Sequence, residues 1–235
     1  MKVYAGTSGY GYKEWRGNFY PRDLPAREML GFFATRLPAV EINNTFYRLP
    51  SGKVLQAWAD QVPEDFRFAI KASQRITHLK RLKGAEEETR FLLRSLEALG
   101  ARLGVVLFQL PPQLRKDCER LRHFLGVIPP GVRAAFEFRH PSWLADDVLA
   151  ILNEHGAVWC VADTEEAAGA IVEGGACGYL RLRRAHYSDA ELRLWVERVL
   201  GQPWDEAYVF FKHEDAGIGP ALAQRFLELA RARQR

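Results

Sequence analysis

The feature that most restricts what this chain can become is a repeated alternation of short β-type runs with longer segments of helical period. Eight runs rich in β-branched and aromatic residues stand out, at Lys2–Gly6, Ala39–Asn43, Arg67–Lys71, Gly104–Leu110, Arg133–Arg139, Ala157–Asp163, Gly178–Arg183 and Ala207–Lys212. Helical period is clearest at Ala85–Leu99, Arg115–Leu125, Trp143–His155, Asp189–Leu200 and Gly219–Arg233. Gly52–Gln61 and a short piece near Arg27–Phe33 complete the earlier units. The sixth unit is the thinnest, because Thr164–Glu173 has room only for a short helix. Repeated strand–helix order predicts a parallel sheet, and eight strands favour its closure. A doubly wound open sheet would carry a glycine fingerprint after its first strand, and Gly6-Thr7-Ser8-Gly9 does not meet that pattern. The expected fold is an α/β, single (β/α)8 TIM-type barrel with an incomplete or short sixth helix.

The totals fit one such unit. A chain of 235 residues, 48% of them hydrophobic, can bury one sizeable core, so residues 1–235 are read as a single domain. No Pro-, Gly- or Ser-rich linker or low-complexity run divides it. The N-terminal Met1-Lys2-Val3-Tyr4-Ala5-Gly6 runs straight into a strand, with no apolar stretch of signal-peptide length, and no later segment is long and apolar enough to span a membrane. Cys118, Cys160 and Cys177 form no CxxC pair and leave one over, which argues against a disulfide framework or a cysteine zinc site. A cytoplasmic location is the default expectation. Lys and Arg total 33 against 29 Asp and Glu, a formal net charge of +4. That mild excess suits an anionic ligand without requiring nucleic acid.

Side chains alternate along a strand, so one set faces the helices and the other the lumen. In Arg133–Arg139, Ala134, Phe136 and Phe138 form one face, and Arg133, Ala135, Glu137 and Arg139 the other. In Gly178–Arg183, Leu180 and Leu182 oppose Tyr179, Arg181 and Arg183. The same reading sends Glu41, Asn43, Lys71, Gln109, Asp163 and Lys212 inward near the strand ends, where barrel active sites are built. These charges could simply neutralise one another, since buried charge is costly unless paired. Five cations (Lys71, Arg139, Arg181, Arg183, Lys212) nevertheless face three carboxylates (Glu41, Glu137, Asp163), and the surplus points to an anionic ligand.

Several segments resemble a known family. Gly6-Thr7-Ser8-Gly9-Tyr10, Trp15-Arg16-Gly17-Asn18-Phe19-Tyr20-Pro21 and Val40-Glu41-Ile42-Asn43-Asn44-Thr45-Phe46-Tyr47, with Pro50 following, are similar to the YecE-like proteins (domain of unknown function seventy-two). The resemblance continues in Phe68-Ala69-Ile70-Lys71, Ile76-Thr77-His78, Gln109-Leu110-Pro111-Pro112 and Phe136-Glu137-Phe138-Arg139 with Ser142-Trp143. It implies a TIM-type barrel whose activity is not established. Sugar isomerases and endonuclease-IV-like enzymes are analogies at fold level only. The last third departs from the pattern. Arg183-Arg184 stand where a His-Gly-type element is expected, and Lys212-His213-Glu214-Asp215 where Asn-rich sequence is common.

Lys71, Glu41 and Glu137 are the candidate catalytic groups. A lysine among other cations can have its pKa lowered and act as base or Schiff-base nucleophile, or it can be a phosphate partner held by Glu41. Glu41 and Glu137 could serve as acid and base, or as fixed partners of Arg139, Arg181 or Lys71. Candidate ligand contacts are Thr7, Ser8, Tyr10, Asn43, Phe46, Tyr47, His78, Gln109, Arg139, Asp163, Arg181, Arg183 and Lys212. No cofactor is predicted. A divalent metal on the carboxylates with His78, His140, His186 or His213 is the weaker reading, because no HxH, HxxxH or HExxH spacing occurs and the mouth is rich in cations. Trp15, Phe19 and Tyr20 read as pins for a long first loop, and Tyr10, Phe46 and Tyr47 as stacking surfaces. Gly217-Ile218-Gly219-Pro220 suits either an ordinary helix start or an amide cradle for phosphate.

The leading expectation is an enzyme acting by acid/base chemistry on a phosphorylated or sugar-derived anion. The alternative is a nucleic-acid-binding protein or endonuclease-IV-like enzyme that uses the early aromatic loops and the basic run Arg75, His78, Lys80, Arg81 and Lys83. A non-catalytic binding barrel is a third reading. Substrate and oligomeric state are not legible in the sequence.

Overall fold

Alternate β-branched and aromatic positions extend the backbone into eight strands, each parallel to its neighbours. They are β1 (Lys2–Ser8), β2 (Ala39–Ile42), β3 (Arg67–Lys71), β4 (Leu103–Gln109), β5 (Ala134–Glu137), β6 (Val158–Asp163), β7 (Cys177–Leu182) and β8 (Glu206–Phe211). They pair in chain order and close through β1 and β8, from Lys2↔Glu206 to Thr7↔Phe211, into a barrel. The computed structural model describes residues 1–172, 174–175, 177–212 and 217–234.

Seven α-helices lie among the described residues: α1 (Met29–Ala34), α2 (Gly52–Ala59), α3 (Glu86–Leu96), α4 (Cys118–Leu125), α5 (Asp146–Glu154), α6 (Asp189–Leu200) and α7 (Ile218–Arg233). Between β6 and β7 the described residues form no helix, and a turn closed by Thr164 N–H on the Ala167 carbonyl stands there instead. This is the extreme of the expected short sixth helix. Helix starts follow local chemistry. The Asp117 carboxylate accepts the Arg120 N–H at the head of α4, and Ser188 with Glu191 forms a reciprocal capping box on α6.

Two apolar layers result from strand parity. Outward residues such as Val40, Phe68, Ile70, Val106, Phe108, Phe136, Leu180 and Val209 pack with Leu55, Leu96, Phe124, Ile151, Val196 and Phe226 of the helices. The second layer fills the lumen. Tyr4, Tyr179, Tyr208 and Phe210 project from β1, β7 and β8 toward Ala39, Ala69 and Ala135, whose small side chains leave the room. Tyr4 and Tyr208 stack at 5.0 Å. Gly6 is dictated by close approach, since a Cβ there would lie 1.8 Å from the Ala39 carbonyl oxygen of β2. The lower lumen is thereby plugged, and Arg133 pairs with Glu206 at the N-terminal end. Most of the inward polar groups gather at the other end.

No helix among the described residues is long and apolar enough to cross a membrane.

Candidate functional site

Lumen-facing positions at the C-terminal strand ends bring Ser8, Glu41, Asn43, Gln109, Glu137, Tyr179 and Arg181 into one hydrogen-bonded cluster. Arg181 of β7 bridges two buried carboxylates, with Nη2 donating to Glu41 Oε1 at 2.9 Å and Nη1 to Glu137 Oε2 at 2.5 Å. Glu41 also accepts from Ser8 Oγ (2.7 Å), Asn43 Nδ2 (2.8 Å) and Tyr179 Oη (2.7 Å). Glu137 further accepts from Arg139 Nε at 2.9 Å and Gln109 Nε2 at 3.1 Å. A carboxylate surrounded by donors stays ionised. Burial pushes Glu41 up, but the Arg181 charge and the three neutral donors outweigh it and hold the group at about 2. Burial likewise opposes ionisation of Glu137, and Arg181 with Arg139 overcomes it. Both acids are therefore anchors for Arg181 in the resting protein.

The cations above this layer are differently placed. Lys71 ends β3, and Thr45 ties that end to the β2 loop by donating its hydroxyl to the Lys71 carbonyl at 2.7 Å. The same loop makes a 3-10 turn over Asn44–Phe46, which lays the Phe46 ring 4.3 Å from Lys71 Nζ. Among the described residues Lys71 Nζ has no carboxylate within ion-pair distance, because Glu41 and Glu137 are occupied by Arg181. Burial and then the Arg181 charge lower its pKa to about 8 against the pull of Glu137 and Glu41. His78 follows in a π-turn over Arg75–Leu79, a distortion frequent at functional sites. Its ring stands edge-on to Phe46 at 4.9 Å, with Nδ1 bonded to Thr77 Oγ1 at 2.9 Å. Burial and the neighbouring Lys71 depress its pKa, so the imidazole is neutral near pH 7.

Arg183 completes the mouth. Its Nη1 is buried and has no acceptor, and the same holds for Arg181 Nε. Burial and the Arg181 charge both disfavour the Arg183 cation. Tyr12 reaches the same neighbourhood, where Glu41 and Arg183 both act on its phenol. Its hydroxyl donates to the Ser8 carbonyl at 2.8 Å, and burial followed by the Glu41 charge pushes its pKa up to about 12. Gly9, at φ +97°, must be glycine for this contact, since a Cβ would meet the Tyr12 hydroxyl at 2.4 Å. Tyr10, Tyr12, Asn43 and Trp58 line an adjoining cleft of about 380 Å³.

Two expected contacts lie elsewhere. Asp163 faces the helical layer, because the lumen phase of β6 is carried by Val158 and Cys160. Its carboxylate accepts from Arg184 Nε and Tyr187 Oη, each at 2.7 Å, and from the Gly169 N–H at 2.8 Å. Both faces of β6 are apolar, so hydropathy could not choose the phase. Thr7 also points outward. The first strand runs on through Ser8, which sets Thr7 and Ser8 on opposite faces, and Thr7 Oγ1 donates to the Gly9 carbonyl at 2.6 Å. With Asp163 gone from the lumen, the lumen-side cations outnumber the carboxylates by more than the sequence suggested.

The remaining assignments divide. Tyr10 sits in the cleft and packs on Phe33, while Tyr47 is 75% exposed at the rim, edge-on to Phe46. Trp15 and Tyr20 are buried and Phe19 packs on Phe32 and Phe33, as pins for the first loop. Lys212 lies just past β8, its N–H bonded to the Leu182 carbonyl, and half-buried. His213, Glu214 and Asp215 lie outside the described residues. Among those described, no three His, Cys, Asp or Glu side chains are grouped so as to hold a metal ion. In the basic run, Lys80 pairs with Glu88 at 2.7 Å and Arg75 with the same carboxylate at 3.8 Å. Tyr179 was placed on the inward face by parity but not in the site. Its phenol proves to be the fourth donor to Glu41.

Comparison with known proteins agrees with the barrel fold. A DUF72 family protein from Thermotoga maritima MSB8 superposes with a TM-score of 0.86 at 27% identity, covering 98% of this chain and all (100%) of that one. A DUF72 family protein from Enterococcus faecalis V583 gives 0.77 at 18% identity, covering 97% of this chain and 95% of its own, which bears on fold alone. The Bacillus subtilis protein YunF is 26% identical over 90% of this chain and 78% of its own length. YecE of Escherichia coli K12 is 32% identical over 48% of this chain and 42% of that protein. The family model described as "Protein of unknown function DUF72" matches residues 4–235, and the chain belongs to that family.

Proposed function

We propose that this barrel binds a small anionic ligand, phosphorylated or sugar-derived, at the C-terminal mouth, gripped by Arg183, Arg139 and Lys71. The observation that carries the reading is the charge state of the lumen. Both inward carboxylates are engaged by Arg181, while Arg183 keeps a buried N–H donor with no acceptor. A buried donor without a partner costs about 1–3 kcal/mol, more for a charged group, and a bound oxyanion would recover that cost. Proton transfer in such a site falls to Lys71 and His78, whose environments bring them toward neutral titration or neutrality. Glu41 and Glu137 then act by fixing Arg181, since acids held well below their ordinary range are poor proton donors near neutral pH.

The test is titration calorimetry with inorganic phosphate and a hexose phosphate on the wild type and on Arg183→Met. Removing one charge-assisted contact predicts a loss of about tenfold or more in affinity, with the thermal midpoint of the free protein unchanged or raised. Equal affinity in the two proteins would remove Arg183 from the site. No binding of either anion would end the reading.

A further inference from the structure

Lys71 is an unusual lysine on geometry alone. Its ammonium is held by a ring face and by no carboxylate, at the end of a strand, with a neutral imidazole across the same ring. Lys71 at the end of β3 and Arg183 just past β7 stand at the same C-terminal mouth, over the layer in which Arg181 bridges Glu41 and Glu137. An amine kept free of ion pairs beside anion-binding groups is arranged to attack an electrophile that brings its own negative charge.

We propose that Lys71 Nζ forms an imine with a small aldehyde or ketone that also carries a carboxylate or phosphate, the anionic end resting on Arg139 and Arg183. The step balances without a co-reactant. The nitrogen lone pair of the free amine forms a bond to the carbonyl carbon, and the C=O π pair moves to oxygen. One nitrogen proton passes to that oxygen, giving a carbinolamine. The nitrogen lone pair then expels the oxygen as hydroxide, which leaves as water on protonation, and loss of the remaining N–H proton leaves the C=N bond. His78 is suited to relay these protons, since its neutral ring has Nδ1 fixed by Thr77 and Nε2 not bonded within the described residues. Burial and the Arg181 charge favour the free amine despite the attraction of the Phe46 ring for the ammonium, and the apolar ring favours the dehydrated product.

This inference deepens the anion-binding reading and rests on it. The test is reductive trapping with glyoxylate and cyanoborohydride near neutral pH, followed by peptide mapping of carboxymethyl-lysine. A lysine titrating at about 8 instead of 10.5 offers about three-hundredfold more free amine near pH 7 than an ordinary one. Its lower intrinsic nucleophilicity takes back part of that gain. Trapping at Lys71 should therefore outpace that at the exposed Lys53 and Lys83 by about tenfold or more. Inorganic phosphate should suppress the preference, His78→Phe should slow trapping at Lys71, and Arg183→Met should slow it for glyoxylate but not for acetaldehyde. Mapping of the wild type needs no variant to fold, and Lys71→Arg checks the site assignment.

If phosphate binds in an Arg183-dependent way while Lys71 is trapped no faster than Lys53 and Lys83, the imine proposal fails and the anion reading stands. If Lys71 is trapped equally fast by glyoxylate and acetaldehyde and phosphate does not bind, the amine is reactive but the anionic substrate class is wrong.

Discussion

Two clusters of buried carboxylate and arginine stand at the same end of this barrel, on opposite sides of its wall. On the outer face Asp163 takes three donors from Arg184, Tyr187 and Gly169, and Arg184 is also held by Glu191 at 2.8 Å. Every strong donor there meets an acceptor. In the lumen Arg181 satisfies Glu41 and Glu137 equally well, yet Lys71 and Arg183 remain beside it without carboxylate partners among the described residues. The outer cluster is what a structural ion-pair network looks like, closing the gap where a sixth helix would lie. In the inner cluster the carboxylates are satisfied, while buried donors on Arg181 and Arg183 are left without acceptors. Carboxylate–arginine density alone does not mark a functional site; what sets the inner cluster apart is charged donors left without acceptors at the strand ends.

The contrast can be broken experimentally, most sharply at Arg181. Replacing it with Met strands two buried carboxylates, which should cost about 3–5 kcal/mol in urea denaturation. A loss below about 1 kcal/mol would show that the two carboxylates are not held by this bridge. Asp163→Asn should cost less, about 1–3 kcal/mol, because Arg184 keeps Glu191 and reaches solvent. Phosphate affinity should not change in that variant, and a clear drop would merge the two clusters into one site.

A smaller effect concerns protons. The Lys71 pKa in the folded protein is about 8, below its ordinary 10.5, so burial and Arg181 penalise its charged form. The unfolded chain therefore binds more protons between those values, and this lysine's contribution makes stability rise with pH across that window. A bound anion reverses the preference and draws a proton onto Lys71. Calorimetry of phosphate binding in buffers of different ionisation enthalpy should show uptake of a fraction of a proton near pH 8. Affinity should weaken as pH rises above that point, by at most about tenfold per unit. Proton release on binding would contradict the assignment of Lys71 to the ligand contact.

Much of the site was legible because parity is a local rule. Where one face of a strand is clearly apolar, as Phe136 and Phe138 are against Glu137 and Arg139, alternation alone aims the charges inward, and the structure agrees. The rule fails where both faces read alike. Trp159 and Val161 are no less apolar than Val158 and Cys160, so Asp163 was assigned by a phase that only pairing resolves, with Cys160 opposite Tyr179 and Ala162 opposite Arg181. Thr7 failed for a related reason. A strand ended two residues early conceals that adjacent hydroxyl residues point to opposite sides.

The sequence by itself determined an eight-stranded barrel, the end at which its polar residues gather, and most of the side chains that line the lumen. Those properties follow from period, length and composition, which each segment carries alone. Only the tertiary structure decided that Arg181 consumes both inward carboxylates, that Tyr179 and Ser8 complete Glu41, and that Lys71 is left on the face of Phe46. Which charge pairs with which depends on strands distant in the chain, brought within 3 Å by closure of the barrel, and no local pattern encodes that distance.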